Sequence, residues 1–544
     1  MPYRRQPAGL WDHRWRALQW RALPVCALLA LWHPAAVSAQ SLTPDMLSPS
    51  QDGFAPRDQS ALRRTAQLGA TPTYGVPAAS GASDSGFDSL NRNRRKQKSY
   101  PGAPKPKARG PGTPPPTPAR TRATAPVAPA VAGTVPGQPT RRLLRSDPDP
   151  FAATGFYTGT FLTKAAVEVW GGYNSNPARV DPPKGSVFYT VSPELLMTSD
   201  WKRHSLIVDL RGSFSGYNAK FPPTMDCNCN PPVPVASPVP TNIDMPSFDG
   251  KIKGRIDAQR DTRINTELRL RVFTDNPGSP NIQAGLSRYP LATNVGGTIG
   301  VEHDFNRLQV SVAGLADRTT YQWSHLADGS ATDNYDRNFN QFGALSRVSY
   351  DLMPGLKPFV EVEADTRVHD QKADRYGYFR DSNGGYLKGG STFEFSRLLT
   401  GEAAIGYSMR TYQDPRLKDL QGLLTSASLI WTATGLTTVR FNAMSSIDET
   451  TVPGVSGAKS QDYSLRVDHA FRRWLIGSAI VGTGTTQYDG SRSDRRYFVE
   501  GDLVYKLSRT FHLKGQIRHD WVDSSAVGAS TNATIVMLGI RVQR

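Results

Sequence analysis

The chain has 544 residues, 38% of them hydrophobic, with a mean hydropathy of −0.44 and a formal net charge of +17. After the N-terminus no stretch approaches the roughly 18 consecutive apolar residues of a membrane helix, which excludes a helical membrane protein. A nucleic-acid partner is excluded too: residues 1–150 carry 21 Lys and Arg against 8 Asp and Glu and the rest 43 against 39, so the basic excess lies where no folded module can form.

Residues 1–39 read as a secretory signal peptide. Arg4, Arg5, Arg14, Arg16 and Arg21 form a long basic region, Ala22 to Trp32 is apolar, and Val37-Ser38-Ala39 offers a small-residue cleavage site. Eleven apolar residues are too few to span a bilayer. Cys26 lies in this segment and would leave with it. Residues 40–155 are expected to be a disordered, basic, Pro-rich tether in the periplasm. Residues 40–150 hold 19 Pro, including Pro114-Pro115-Pro116, and basic clusters such as Arg92 to Lys98. Such a segment cannot bury enough apolar surface to offset its ordering entropy. Its charge suits contact with cell-wall polymer or lipid headgroups, and a simple solvated spacer reads equally well.

From residue 156 to the end the pattern has period two. In Ile264 to Val272 the apolar or small set is Ile264, Thr266, Leu268, Leu270 and Val272, and Arg263, Asn265, Glu267, Arg269 and Arg271 alternate with it. Val360, Val362, Ala364, Thr366 and Val368 alternate with Glu361, Glu363, Asp365 and Arg367; Phe511, Leu513, Gly515 and Ile517 with His512, Lys514, Gln516 and Arg518. One face of each segment suits hydrocarbon and the other suits water. Eighteen such segments can be marked, within a range of 16–20. They run near 163–173, 186–199, 203–217, 244–260, 262–275, 291–305, 306–321, 335–352, 356–370, 383–398, 399–413, 420–434, 435–449, 459–472, 473–488, 494–508, 509–523 and 530–543.

Links after even-numbered segments are tight, as at Asp200-Trp201, Asp304-Phe305 and Met353-Pro354-Gly355; those after odd-numbered ones are longer, most of all Asn218 to Ile243. Loops sorted by parity on an even strand count describe an all-β fold: a transmembrane, antiparallel, up-and-down β-barrel of the bacterial outer membrane. Closure is needed because an open sheet edge in lipid leaves backbone groups unpaired. Tyr173, Phe214, Tyr350, Phe395, Tyr407, Tyr497, Tyr505 and Trp521 are expected near strand ends as interfacial girdles. The long loop carries Cys227 and Cys229, which read as an unligated pair or a strained disulfide.

Gly172-Tyr173-Asn174-Ser175-Asn176-Pro177, Ser192-Pro193-Glu194-Leu195 and Ser199-Asp200-Trp201-Lys202-Arg203-His204 mark the first hairpins. In these motifs the chain resembles the second described class of the putative β-barrel porin family of proteobacterial outer membranes, over roughly residues 150–544. The resemblance implies an outer-membrane barrel with a transport role and outer-membrane lipid, lipopolysaccharide and the barrel-assembly machinery as partners. The chain departs from many such proteins at its end, where Leu538 to Arg544 keeps the alternation without a terminal aromatic.

No constellation for catalysis stands out, and no cofactor or metal is expected. Asp468-His469 and His519-Asp520 are adjacent pairs, but strand neighbours point to opposite faces. The other mature histidines, His204, His303, His325, His369 and His512, belong to no Gly-x-Ser-x-Gly or His-Glu-x-x-His motif. The charges on the expected lumen face are the better functional candidates. They are Lys251, Lys253, Arg255, Arg263, Glu267, Arg269 and Arg271 on a mostly basic wall, Glu361, Glu363 and Asp365 on an acidic wall, and Lys514 and Arg518. Facing walls of opposite sign would set ion preference, whereas pairing among the same charges would merely solvate the interior. A Glu in place of Arg269 would then keep a charge in water and leave folding intact. The functional reading is a porin-like passive channel for small polar solutes. The alternatives are an export or surface-assembly component, for instance for polysaccharide, or a link from outer membrane to cell wall without transport.

Overall fold

A computed structural model describes residues 151–544, apart from 202, 227–232, 236, 354 and 396–398. The segments expected to be a signal peptide and, up to residue 150, a tether lie outside the described residues, as do Cys227 and Cys229.

Eighteen long strands form one closed sheet. They are β1 (Phe161–Asn174), β2 (Ser186–Ser199), β3 (Ser205–Tyr217), β4 (Met245–Asp257), β5 (Thr262–Thr274), β6 (Leu291–Phe305), β7 (Leu308–Tyr321), β8 (Phe339–Tyr350), β9 (Leu356–His369), β10 (Ser382–Phe395), β11 (Leu399–Tyr412), β12 (Leu420–Thr434), β13 (Thr437–Asp448), β14 (Ala458–Arg472), β15 (Leu475–Tyr488), β16 (Arg492–Lys506), β17 (Phe511–Ser524) and β18 (Thr531–Gln543). Each pairs antiparallel with its neighbours in sequence, and β18 closes on β1 from Ala166↔Gln543 to Asn174↔Ile535. Every segment marked from period two became one of these strands. The ends differ by a few residues, as where the 335–352 segment begins in a 3-10 turn, Tyr335–Arg337, before β8.

The alternation has a direct physical cause. Large apolar side chains of alternate residues point outward and stay exposed, such as Val360, Val362 and Val368 on β9 and Phe511, Leu513 and Ile517 on β17. Their neighbours in sequence, Glu361, Arg367, Lys514 and Arg518, are buried inside. Such an apolar outer band fits hydrocarbon and its polar complement fits an aqueous interior. Tyr173, Phe214, Tyr350, Tyr505 and Trp521 lie on the outer face within three residues of a strand end, whereas Tyr407 and Tyr497 lie nearer mid-strand. Phe161 and Trp201 meet edge to face at 5.4 Å, and Trp474 and Tyr505 at 5.0 Å, at the end that carries the short links.

Links after even-numbered strands are short, spanning 200–204, 258–261, 306–307, 351–355, 396–398, 435–436, 473–474 and 507–510. The 306–307 hairpin places Asn306 at φ 61°, and the β8–β9 link places Gly355 at φ 88°. Asn and Gly tolerate this left-handed backbone better than other residues do. Links after odd-numbered strands are longer, at 175–185, 218–244, 275–290, 322–338, 370–381, 413–419, 449–457 and 525–530, with 489–491 the exception. Both ends of the barrel chain lie at the short-link end. There Phe156–Thr158 pairs with the start of β1, and Gln543 Nε2 donates to the Phe151 carbonyl at 3.1 Å.

Leu268 sits at the middle of β5, across from Ile252 of β4 and Gly297 of β6. Leu268→Arg would put a charge on the lipid side near the bilayer midplane, at a cost of roughly 2–4 kcal/mol. The expected result is a smaller folded fraction, seen as a weaker compact band in unheated gel samples. Normal folding of this variant would show that the outward face of β5 does not contact lipid.

Candidate functional site: the inner wall and the long-loop mouth

The charges on the inner wall are held mainly by neighbours on the same strand or one to three strands away. On β4, Lys251 pairs with Asp249 at 2.8 Å and Arg255 with Asp257 at 3.1 Å, while Lys253 lies 3.7 Å from Glu267 of β5. Arg263 pairs with both Glu302 and Asp304 of β6, and Gln309 of β7 donates to the same two carboxylates at 2.8 and 2.7 Å. Arg271 lies 4.9 Å from the ring centre of Phe273. On β9, Glu361 accepts from Arg347 of β8 at 3.1 Å and from Lys388 and Tyr386 of β10 at 2.7 Å each. Arg347 also reaches Glu402 of β11 at 2.7 Å, and Asp365 pairs with Arg410 of β11 at 2.6 Å. Glu363 is buried between Glu361 and Asp365 on the same face of β9. Lys514 meets Glu168 of β1 at 2.9 Å, and Arg518 meets Glu500 at 2.8 Å and Asp520 at 2.7 Å.

This arrangement differs from two opposed walls of opposite sign. Only β6, β7 and β8 separate β5 from β9, so the two are less than a quarter turn apart. The strand across the barrel from β5 is β14. The wall there carries charges of both signs as well, Glu402, Arg410, Arg440, Asp462, Arg466 and Asp468, set among small neutral residues such as Gly406, Ser408, Ser426, Asn442 and Ser464 on the inner faces of β11 to β14. Arg269 is also different from a residue in open water. Its side chain is wholly buried, with Nη2 3.3 Å from Asp317 Oδ1 of β7. Glu at position 269 would set two buried carboxylates side by side, so this exchange would cost folding as well as alter charge.

Three histidines near strand ends, His303, His469 and His519, turn outward and are not simply solvated, whereas His369 and His512 are buried on the inner face. His303 and His469 each bond a threonine of the preceding strand through Nδ1, at 2.8 and 2.9 Å, and His519 one of the following strand at 2.7 Å, and each packs on an aromatic ring two residues along. Asp468 and Asp520 point inward, on the opposite face from their histidine neighbours.

The long loops fold over the mouth. Ala178, Val239, Ile243 and Tyr289, from three different loops, form an apolar cluster that also takes in Ile282. Backbone bonds stitch the same loops: Thr241 N to Leu286 O at 2.9 Å, Asn242 N to Ser287 O at 2.8 Å, and Gly285 N to Ser237 O at 2.7 Å. The 275–290 loop then crosses to the far wall. Asn281 Oδ1 accepts from Thr450 Oγ1 at 2.8 Å and Thr451 N at 3.0 Å, and Arg492 Nη2 donates to the Gly278 carbonyl at 3.3 Å. At its root Asp275 pairs with Arg337 at 3.1 Å, and Arg337 lies 3.8 Å over the Tyr321 ring.

On the other side of the mouth, ion pairs hold the loops. Arg375 bonds Asp336 twice at 2.7 Å, and Arg380 bonds Asp374 at 2.6 Å and the Val455 carbonyl at 3.0 Å. Burial opposes the charge on Asp336, but the Arg375 hydrogen bonds outweigh it and hold the carboxyl below its usual range. Glu449 behaves likewise: burial pushes its carboxyl up, and the stronger combined pull of Arg367, 2.6 Å away, and the neighbouring cations brings it down. Both groups therefore stay charged at neutral pH, and their contribution is lost only as pH falls through the depressed values.

Beneath the crossing loop lies a chamber of about 280 Å³. Six arginines line it, Arg179, Arg271, Arg367, Arg492, Arg496 and Arg518, with five carboxylates, Asp275, Asp448, Glu449, Asp494 and Asp520. The arginines are already engaged: Arg179 with Asp520 at 2.5 Å, Arg492 with Asp494 at 2.6 Å, and Arg496 with Asp462 at 3.0 Å, beside the Arg367 and Arg518 pairs above. None of this crossing was visible in the sequence. The Asn276-Pro277-Gly278-Ser279-Pro280 run marks a turn, but nothing local says that it bends inward.

The three sequence motifs converge on the seam where the barrel closes. Asn176 accepts from Val180 N at 3.1 Å and donates to Val180 O at 2.8 Å and to Asn532 O at 3.2 Å, fastening the first loop to β18. Glu194 accepts from Arg541 at 3.0 Å, and Trp201 Nε1 donates to Thr160 Oγ1 at 2.9 Å.

Residues 149–544 match the family model described as putative beta-barrel porin 2. No curated protein matches. Solved structures similar in fold include OccAB4 of Acinetobacter baumannii, at 10% identity and TM-score 0.35, covering 73% of this chain and all of that one. OpdK of Pseudomonas aeruginosa, solved with vanillate, has 11% identity and TM-score 0.35 over 70% of this chain and 99% of its own. OccK9 (OpdG) of Pseudomonas aeruginosa has 12% identity and TM-score 0.34 over 70% and 98%.

Proposed function

We propose, from the premise that the chain belongs to the putative beta-barrel porin 2 family, that this outer-membrane barrel is a passive channel for small polar solutes, narrowed at its long-loop mouth by residues 275–290. The observation that carries this reading is the crossing of that loop from the β5–β6 wall to the β13–β14 wall, fastened at Asn281. A barrel of this strand number encloses an aqueous lumen unless something fills it. A loop across the mouth leaves a restricted path, which suits selection by size and polarity.

The path runs between Lys251 and Lys253 on β4 and the inner faces of β11 to β15, where small residues such as Ser408, Ser426 and Ser464 stand among paired charges such as Arg410, Asp462 and Arg466. In this reading Arg255, Arg263, Glu267, Arg269, Arg271, Glu361, Glu363, Asp365, Lys514 and Arg518 serve the lumen mainly as a hydrogen-bonded lining. Paired charges keep the interior wet while imposing little net field, so ion preference is expected to be weak. The outer apolar band supports contact with outer-membrane lipid, and the N-terminal segment leaves the barrel at the short-link end, which in such barrels faces the periplasm.

Conductance in planar bilayers tests the reading, using the mature chain with and without residues 40–150. Stable ionic current in both forms is the expected result. Absence of current would favour a tethering or assembly role instead.

A further inference from the structure

We infer that the chamber beneath the 275–290 loop is a binding site for a neutral, polyhydroxylated solute of mono- or disaccharide size. The inference rests on the channel reading and names its substrate class.

Size comes first. At about 280 Å³ the chamber lies just under the roughly 300–1,000 Å³ of sites for drug-sized ligands, so it suits a small solute. Charge comes second. Five of its six arginines meet carboxylates at hydrogen-bond distance and Arg271 lies against the Phe273 ring, and the lining cations and anions nearly balance, so an anion entering it would find little net attraction.

The remaining hydrogen-bonding capacity is of mixed kind. Asn294 Oδ1 and Glu449 Oε2 are buried acceptors with no partner among the described residues, Arg496 Nε is a buried donor with none, and Thr531 Oγ1 can act as either. All four residues line the chamber. An anion offers only acceptors and a cation only donors, whereas each sugar hydroxyl is one donor and an acceptor. A polyol is therefore the ligand class that can satisfy this set together. Ser460 and Thr486 add two further hydroxyls to the wall.

Apolar surface completes the fit. Phe339, Tyr488 and Phe498 also line the chamber, and aromatic surface beside a few directed polar groups is the usual make-up of a pocket for an uncharged organic solute.

The test uses the full mature protein in planar bilayers, with glucose, maltose, sodium succinate or sodium benzoate added at constant ionic strength. Glucose or maltose is expected to interrupt the current in a saturable way, and the two anions are not. Asn294→Ala and Thr531→Val are expected to raise the half-blocking sugar concentration by roughly three- to tenfold each, measured against each variant's own unblocked current. Saturable block by succinate or benzoate but not by the sugars would overturn the inference and leave the channel reading standing. So would current that none of the four solutes reduces, or sugar block that both variants leave unaltered. A protein that passes no current at all overturns the channel reading and this inference with it.

Discussion

Shortening the 275–290 loop by replacing residues 277–283 with two glycines is expected to raise single-channel conductance several-fold. Current through an aqueous pore is set by its narrowest section, and this loop is the element that crosses the mouth from wall to wall. The excised tip holds Gly278 and Asn281, which meet Arg492, Thr450 and Thr451 on the far side. It also holds Ile282, which packs on the apolar loop cluster but is only partly buried there. Apart from exposed Gly278 this tip is half-buried, and loop tips tolerate such deletion where little of the core depends on them. The milder Asn281→Ala removes the anchor alone. Losing its hydrogen bonds costs about 1–2 kcal/mol, so the released loop should become roughly 5- to 30-fold more populated. Recordings are expected to show brief steps to a higher level, on top of the unaltered main level. Conductance unchanged by both the deletion and Asn281→Ala would place the narrowest section elsewhere, deeper between β4 and β14.

How far the molecule could be read in advance follows from the range of each interaction. Alternation is a local property, so Ile264 to Val272 already shows which residues share a face, and the strands can be marked one by one. Parity of the links is also local, and it orients the barrel without knowledge of any contact. Pairing is different. Arg269 shows in sequence as an inward charge, but its partner Asp317 lies two strands on, and only the register places them together. The idea of opposed basic and acidic walls failed for the same reason: position round the barrel depends on strand order, which puts β9 close to β5. The crossing loop was least legible of all. Its anchor joins Asn281 to Thr450, far apart in sequence, and neither residue carries a signal of its own. The family motifs were visible but not their purpose, which emerges only where β1, β2 and β18 meet.

That seam is where a single side chain should matter most to assembly. Arg541 of β18 donates to Glu168 of β1 at 2.5 Å and to Glu194 of β2 at 3.0 Å, and its Nε donates to Gln543 at 2.9 Å. It thus straps the last strand to the first two across the line of closure. Glu168 is fully buried and also holds Lys514 of β17 and Trp170 Nε1 at 3.1 Å, so three strands meet through one carboxylate. Arg541→Leu keeps bulk but takes the shared cation from two buried carboxylates. Breaking a buried pair from one side typically costs 3–5 kcal/mol, on the order of a third of the stability of an ordinary domain. The expected result is a marked fall in the temperature at which the compact gel form converts to the extended one, with less protein reaching that form during refolding. Arg541→Lys keeps the charge but loses the planar fork that spans both carboxylates, and should fall between. If Arg541→Leu converts at the same temperature as the parent, the backbone ladder of Ala166 to Asn174 against Ile535 to Gln543 closes the barrel unaided. The strap would then serve the lining of the lumen rather than its closure.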